Sequence, residues 1–143
     1  MSEISKIIFS VLLTSFMSFV AFLLSKMYYR PIEKYKELRF STSYILVYYA
    51  NAYSNPINLT YYNGECPEYY KNASEEIRKL ASEWRALIYL KSFPGFFLPR
   101  DKVILEVSKS LIGLSNSMIL PCGTGTEANN YIDEIKKNLK LKS

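Results

Sequence analysis

Few side chains in this sequence have the type and spacing that binding chemistry requires. Arg78 and Arg85 lie seven residues apart, which is two helical turns, and Trp84 precedes Arg85. Two guanidinium groups on one helix face can hold a phosphate, and an adjacent indole ring can stack on a base. Surface arginines that flank a core tryptophan would give the same pattern. Both interpretations stay open for Arg78, Trp84 and Arg85.

A second candidate anion site is the turn at residues 121–126. Gly123, Gly125 and Thr126 are expected at the start of a helix, where backbone amides bind anions. The turn lacks the Gly-Lys-Ser/Thr end of a phosphate loop and follows no predicted strand. A flexible connection between helices explains this composition equally well.

The composition gives little support to catalysis. The 143 residues include no histidine, which excludes Ser-His-Asp triads, Cys-His dyads and histidine metal sites. Cys66 and Cys122 lack a Cys-x-x-Cys spacing, and in a reducing cytoplasm we expect them to be free thiols. If the topology is inverted, the two cysteines can pair. We predict no catalytic residue, no metal and no cofactor. The formal net charge of +5 is spread along the chain without a recognised motif, so we predict no nucleic-acid partner.

The element that must position everything else is the uncharged run at residues 7–25. Nineteen helical residues extend about 28 Å, close to the thickness of a bilayer's hydrocarbon core. A cleaved signal peptide would need small residues one and three positions before the cut, a pattern that fails at Ala21 and Ser25. A buried core helix is the other alternative. We predict a retained transmembrane helix, with residues 1–6 as a short tail outside the cell.

Basic residues near this run predict its orientation. Lys6 is the one basic side chain before it, and the segment after it contains five: Lys26, Arg30, Lys34, Lys36 and Arg39. The positive-inside rule therefore puts the C-terminal part in the cytoplasm and the N-terminus outside. We expect a single-pass protein of the inner (plasma) membrane, with membrane lipid as one partner.

Small residues recur along one side of the predicted span. Their spacings of four, four, three and four place them in a stripe about 80° wide; they are Ser10, Thr14, Ser18, Ala21 and Ser25. Such a stripe lets two membrane helices approach closely and bond across. Alternatively, the hydroxyls bond back to their own helix and carry no interface.

The remaining chain has helical periodicity throughout. Four helices are predicted. The first covers residues 31–53, and the second begins at an Asn72 N-cap, with Glu75 completing a capping box. The third covers residues 101–117, and the fourth begins at Thr126. Residues 54–72 form a polar connection, and no segment alternates with period two. Gly113 inside a helix predicts a close helix crossing. The apolar connection at 93–99 covers the bundle's end, enters the bilayer or binds a partner.

We therefore predict an all-α fold, with an N-terminal transmembrane helix followed by a four-helix bundle-like soluble domain. Residues 26–54 form a basic juxtamembrane segment and stalk helix, and residues 55–143 form the rest of the cytoplasmic domain.

Three segments carry a resemblance to known proteins: residues 48–56 (YYANAYSNP), 78–83 (RKLASE) and 111–117 (LIGLSNS). Together they resemble a group of small single-span bacterial membrane proteins with a cytoplasmic helical domain and no assigned activity. The resemblance covers most of the soluble part in the same order. It implies a bacterial origin and a domain that faces the cytoplasm, and it implies no activity.

These observations favour a non-catalytic, membrane-anchored interaction or regulatory domain that forms a homo-oligomer or binds a partner membrane protein. One alternative is a ligand-gated membrane effector of bacterial stress or phage defence, which senses a small anion through Arg78, Arg85 or the 123–126 turn. A small membrane-bound enzyme is the third hypothesis.

Overall fold

A single uninterrupted helix forms the first third of the molecule in the computed structural model, which describes residues 3–58, 64–91, 98–120 and 126–141. Helix α1 (Glu3–Leu24) continues through a π-helical turn (Ser25–Tyr29) into α2 (Arg30–Tyr48), a run of 46 residues. Its N-terminal part is long and apolar enough to cross a membrane, by length and composition. The predicted span and stalk are thus one element.

Helix α2 ends where the backbone leaves the helical region at Tyr49, and a short helix α3 (Ala50–Ser54) follows. The prediction of helix at residues 31–53 is confirmed apart from this break. Asn55, which precedes Pro56, takes an extended φ of −125° and ends α3. The chain then enters a two-residue strand, β1 (Ile57–Asn58).

Three longer helices complete the soluble part: α4 (Glu68–Leu90), α5 (Asp101–Ser117) and α6 (Thr126–Leu139). Helix α5 packs against both α4 and α6, and α4 also packs against α2. Helix α4 runs antiparallel to α2, because Lys34 contacts Glu83 whereas Tyr49 contacts Tyr69. The predicted all-α class is confirmed by this architecture.

The core lies between α2, α4, α5 and α6. Its largest completely buried side chains come from all four helices: Leu38, Ile77, Trp84, Leu87, Ile104, Leu111, Leu114, Ile135 and Leu139. Helix α5 buries residues on several faces, which agrees with its position between α4 and α6. Removing apolar surface of this kind from water is the main stabilising contribution to such a domain.

Two sequence expectations are wrong at the connection before α4. The helix begins at Glu68 behind Pro67, so Asn72 lies inside its second turn and is not an N-cap. A strand pair also exists: β1 runs parallel to β2 (Ile119–Leu120), with Ile57 opposite Ile119. Two residues are too few to produce a period-two pattern, which is why the sequence did not indicate them.

Gly113 faces α6, at the position where the sequence predicted a close helix crossing, and the group next to it is the side chain of Tyr131. A Cβ atom at this position would lie 2.5 Å from the Cε1 and Cζ atoms of the Tyr131 ring on α6. Helix α5 needs a residue without a side chain here, which explains a glycine that lowers intrinsic helix stability by about 1 kcal/mol.

Candidate anchor and interaction surfaces

The surface of α1 is apolar and open along its whole length. No residue of Glu3–Leu24 is buried, and most of its large apolar side chains are more than half exposed. A helix whose apolar side chains point in every direction needs an apolar environment on every side. The packed domain does not provide that environment, and the helix is long and apolar enough, by length and composition, to cross a membrane.

The hydroxyl groups of the small-residue stripe bond within α1. Thr14 Oγ1 donates to the carbonyl of Ser10 at 2.8 Å, and Ser18 Oγ donates to the carbonyl of Thr14 at 2.9 Å. The stripe is completed by Ala21, which is exposed, and by Ser25, the first residue of the π-helical turn. These two hydroxyl donors are therefore satisfied within the chain. The remaining role for the stripe is to let the backbone of a neighbouring helix approach closely.

The five basic residues after the span have different partners. Lys26, Arg30 and Lys36 are exposed. Lys34 Nζ bonds Glu37 at 2.8 Å and Glu83 at 3.0 Å, and so joins α2 to α4. Arg39 donates to the backbone carbonyl of Lys140 at 2.9 Å and holds the end of α6. Two of the five thus also stabilise the domain.

The environment of Lys34 favours its charged form. The side-chain hydrogen bond to Glu37 raises the pKa of Lys34 most, and the bond and charge of Glu83 add to this, whereas partial burial opposes it. Lys34 is therefore a permanent cation at neutral pH. Its pair with Glu83 is one of the contacts that join α2 to α4.

Arg78 is used within the domain. Its Nε donates to Ser115 Oγ at 3.0 Å, and an Nη donates to Asn116 Oδ1 at 2.8 Å. Ser115 also lies 2.9 Å from Ser74 Oγ, so a polar network joins α4 to α5. An arginine with these partners has a structural role, although its side chain stays accessible at the rim of the network.

Trp84 is completely buried, and its Nε1 donates to Thr42 Oγ1 at 2.9 Å. Its ring also meets Tyr35 edge to face, with centroids 5.9 Å apart. The prediction that Trp84 could stack on a base is therefore wrong, because the core-tryptophan alternative describes it. Arg85 is exposed on the same side of α4 as Arg78, two helical turns further along. Because Trp84 is buried and Arg78 is bonded to α5, the structure does not combine the three residues into one site.

The other predicted anion site lies mostly outside the described residues. This applies to Gly123 and Gly125, and Thr126 is known here as the first residue of α6. Residues 93–97 of the apolar connection and Cys122 also lie outside them. Cys66 is a half-buried free thiol. Within the part of the chain that the structure describes, no group of three potential metal ligands occurs.

The end of α4 lies on the side of the domain where α2 begins. Lys34, Glu83, Ala86, Leu87 and Leu90 line one surface depression. Leu90 thus shares a depression with Lys34, which lies about one helical turn into α2, and the neighbouring Tyr89 is 90% exposed. Tyr28 and Tyr29 are exposed at the same end. Tyrosines and apolar side chains together characterise surfaces at the headgroup level of a bilayer.

The sequence analysis missed a row of exposed apolar side chains on α2. We call it the outer face; it consists of Phe40, Tyr44, Val47 and Tyr48, which are 74, 54, 75 and 58% exposed. The Tyr44 and Tyr48 rings stack, with centroids 5.5 Å apart. The signal was available as a second set of apolar residues at i, i+4, i+7 and i+8, beside the set that enters the core.

Tyr49 connects this row to the core. It is buried, its ring meets those of Tyr48 and Tyr69, and burial raises its pKa to about 12, with a hydrogen bond to Glu76 as the next cause. The phenol is thus neutral at physiological pH, and the ring fixes the end of α2 against α4.

Comparison with known proteins gives no match: no protein-family model, curated protein or solved structure resembles this chain significantly. The proposals below therefore rest on the geometry and the sequence pattern.

Proposed function

We propose that this chain is a single-pass inner-membrane protein whose four-helix bundle-like domain faces the cytoplasm and acts by non-catalytic contacts with a second copy or a partner membrane protein. The observation that carries the proposal is the continuous helix Glu3–Tyr48. One of its halves is uncharged over residues 7–25 and exposed, and the other half is built into the core of the domain. The bilayer and the domain thus share one helix.

Charge supports the orientation. Lys26, Arg30 and Lys36 are exposed close to the end of α1, where they reach anionic headgroups of the cytoplasmic leaflet. Each basic residue near such a surface contributes about 1 kcal/mol. Tyr28 and Tyr29 lie between them at the level that amphipathic rings favour.

A regulatory role by contacts agrees with how the candidate chemistry is used. Trp84 lies in the core, and Arg78 holds α4 to α5. The ligand-gated alternative therefore keeps the solvent-exposed Arg85, which has no structural partner assigned above, and the start of α6 at Thr126. Large exposed apolar side chains on α2 provide a surface for a protein partner instead.

Membrane anchoring is tested by changing the span. Leu13→Arg with Phe16→Arg places two charges in mid-span, each of which disfavours insertion by about 3 kcal/mol. We expect the fraction that stays with membranes after a carbonate wash to fall more than tenfold. The control is Glu75→Arg with Glu127→Arg, two exposed positions of the domain. Release of the unchanged chain by the wash would contradict the proposal.

Orientation is tested with single cysteines in a Cys66→Ser, Cys122→Ser background. An impermeant maleimide added to intact cells should label Glu3→Cys at once and Glu127→Cys only after lysis. Both positions are exposed in the protomer, so access through the membrane is what differs. The reverse pattern would show that the domain lies outside.

A further inference from the structure

The outer face of α2 is too apolar to be an ordinary solvent surface. Phe40 and Val47 are about three-quarters exposed, and the stacked Tyr44 and Tyr48 extend the row over two helical turns. The opposite side of α2 contributes its buried residues Leu38, Thr42, Ile45 and Leu46 to the domain. The domain therefore lies on one side of this helix, and the outer face points away from it.

The π-helical turn determines where the outer face points relative to α1. In an uninterrupted α-helix, with about 100° per residue, the centre of the outer face would be rotated about 105° from the centre of the small-residue stripe. A π-helical turn accommodates one extra residue and so turns everything after it back by about 100°. The turn at Ser25–Tyr29 thus brings the outer face and the stripe to the same side of one helix.

We propose that this combined side of the Glu3–Tyr48 helix binds a second copy of the chain in parallel. The proposal rests on the membrane anchoring proposed above, because two copies inserted with the same orientation are necessarily parallel. A two-fold pair requires the same surface on both partners. Here that surface has two parts. In lipid it consists of small residues, and close packing of the helices drives association. In water it consists of large rings, and burial of apolar surface drives association.

The position of the domain favours this occupant. Because α2 buries its other side, the two domains lie outward and leave the helix pair free to meet. The stretch between stripe and outer face contains the exposed Glu33, Lys36 and Glu37. In a parallel two-fold pair Glu33 lies opposite Glu33, so this stretch adds repulsion that the small residues and the large rings on either side of it must outweigh. The spacing of four and three residues in the outer face is that of a helix–helix seam.

The first experiment measures the mass of the full chain in detergent. We expect a dimer, and we expect Tyr44→Glu with Val47→Glu to weaken it at least tenfold. The matched control is Tyr89→Glu, which adds a charge at an apolar position that is 90% exposed but lies on α4. A monomer at all concentrations, or equal weakening by the control, would overturn the proposal.

A second experiment tests the role of the π-helical turn. Deleting Met27 removes the extra residue and lets a regular α-helix form. The outer face then still points to the same side as the small-residue stripe, so the dimer should persist. Inserting one alanine between Leu24 and Ser25 rotates the outer face about 100° away from the stripe, so the dimer should weaken at least tenfold. Weakening by the deletion with no effect of the insertion would contradict this alignment.

Crosslinking in lipid vesicles identifies the occupant. In the cysteine-free background, Val47→Cys should form a disulfide-linked dimer under mild oxidation, and Arg85→Cys on the exposed side of α4 should not. Protection of Val47→Cys from maleimide by vesicles without any crosslinked dimer would mean that the outer face lies on lipid, which would overturn the proposal. If the chain remains in carbonate-washed membranes but is a monomer, the dimer proposal is overturned and membrane anchoring is not. If the wash releases the chain, the proposed membrane anchoring is overturned.

Discussion

Hydroxyl side chains are used in opposite ways by α1 and α5. In α1, Thr14 and Ser18 are exposed and donate to carbonyls of their own helix. In α5, Ser108 is buried and donates across to the carbonyl of Ala81 on α4 at 2.9 Å, and Ser110 donates to Glu134 Oε2 on α6 at 2.7 Å. The difference lies in the neighbours, because only α5 has a helix packed on each side.

This difference shows what a serine contributes in each region. A small side chain at a tight crossing allows two helices to approach, and its hydroxyl then reaches the facing backbone. Without a facing helix, the same hydroxyl bonds to the carbonyl one turn earlier, with little effect on stability. Substitutions should therefore destabilise the domain strongly from α5 and barely from α1.

The largest expected effect is that of Ser108→Leu. The side chain has no exposed surface, so three added carbons overfill the contact between α4 and α5, and the hydrogen bond from Ser108 to the Ala81 carbonyl is lost. We expect a loss of about 3 kcal/mol in the free energy of unfolding, measured by urea titration with circular dichroism. Ser18→Leu is the matched control, and an equal loss there would contradict the comparison.

Thr42→Val should have the next largest effect. The substitution preserves shape but removes the acceptor of the Trp84 Nε1 proton, which is buried. We expect a loss of about 2 kcal/mol in the same titration. Combining it with Trp84→Phe, which removes the donor as well, should cost less than the two single changes added together. Simple additivity would show that the hydrogen bond contributes nothing.

Tyr49 predicts a loss of stability in alkali. Its pKa in the folded chain is raised to about 12 from an ordinary 10, so its contribution is complete below pH 10 and is lost as the pH rises toward 12. We expect this loss to be on the order of 1–2 kcal/mol, and Tyr49→Phe should reduce the dependence. Tyr28→Phe, which changes an exposed ring beside α1, should leave the pH dependence of stability unchanged. A reduction equal to that of Tyr49→Phe would contradict the comparison.

Arg78→Lys should have the smallest effect of the four. A lysine cannot reproduce the two directed hydrogen bonds to Ser115 and Asn116, so we expect a loss of about 1 kcal/mol in urea. Arg85→Lys, on the exposed side of the same helix, should leave the midpoint unchanged. If both arginines prove equally tolerant, the polar network between α4 and α5 makes no contribution to stability.

The sequence predicted the elements whose signals are local. Helix α5 occupies Asp101–Ser117 as expected, because an apolar row with a period of three to four residues continues to its end. Gly113 correctly marked a contact of α5 with another helix, although the group that meets it is the Tyr131 ring and not a neighbouring backbone. The long apolar helix at the N-terminus follows in the same way from an uncharged run.

The features that depend on distant residues could not be predicted. The first turn of α4 is held by Tyr69, which meets Tyr49, and by Tyr70, whose hydroxyl donates to the carbonyl of Asn55. These contacts move the helix start ahead of Asn72, where the local capping signal pointed. The partners of Arg78 lie 37 and 38 residues away, so its structural role was equally invisible. The π-helical turn has no local sequence signature.

Trp84 is the one tryptophan of the chain, and it lies buried at the contact of α2 with α4. Its fluorescence is therefore an intrinsic reporter of whether the helix that leaves α1 is seated in the domain. A blue-shifted emission will indicate the closed contact, and a red shift with easier quenching by iodide will indicate that α2 has separated. Any change that separates α2 from α4 can thus be followed optically, without a label.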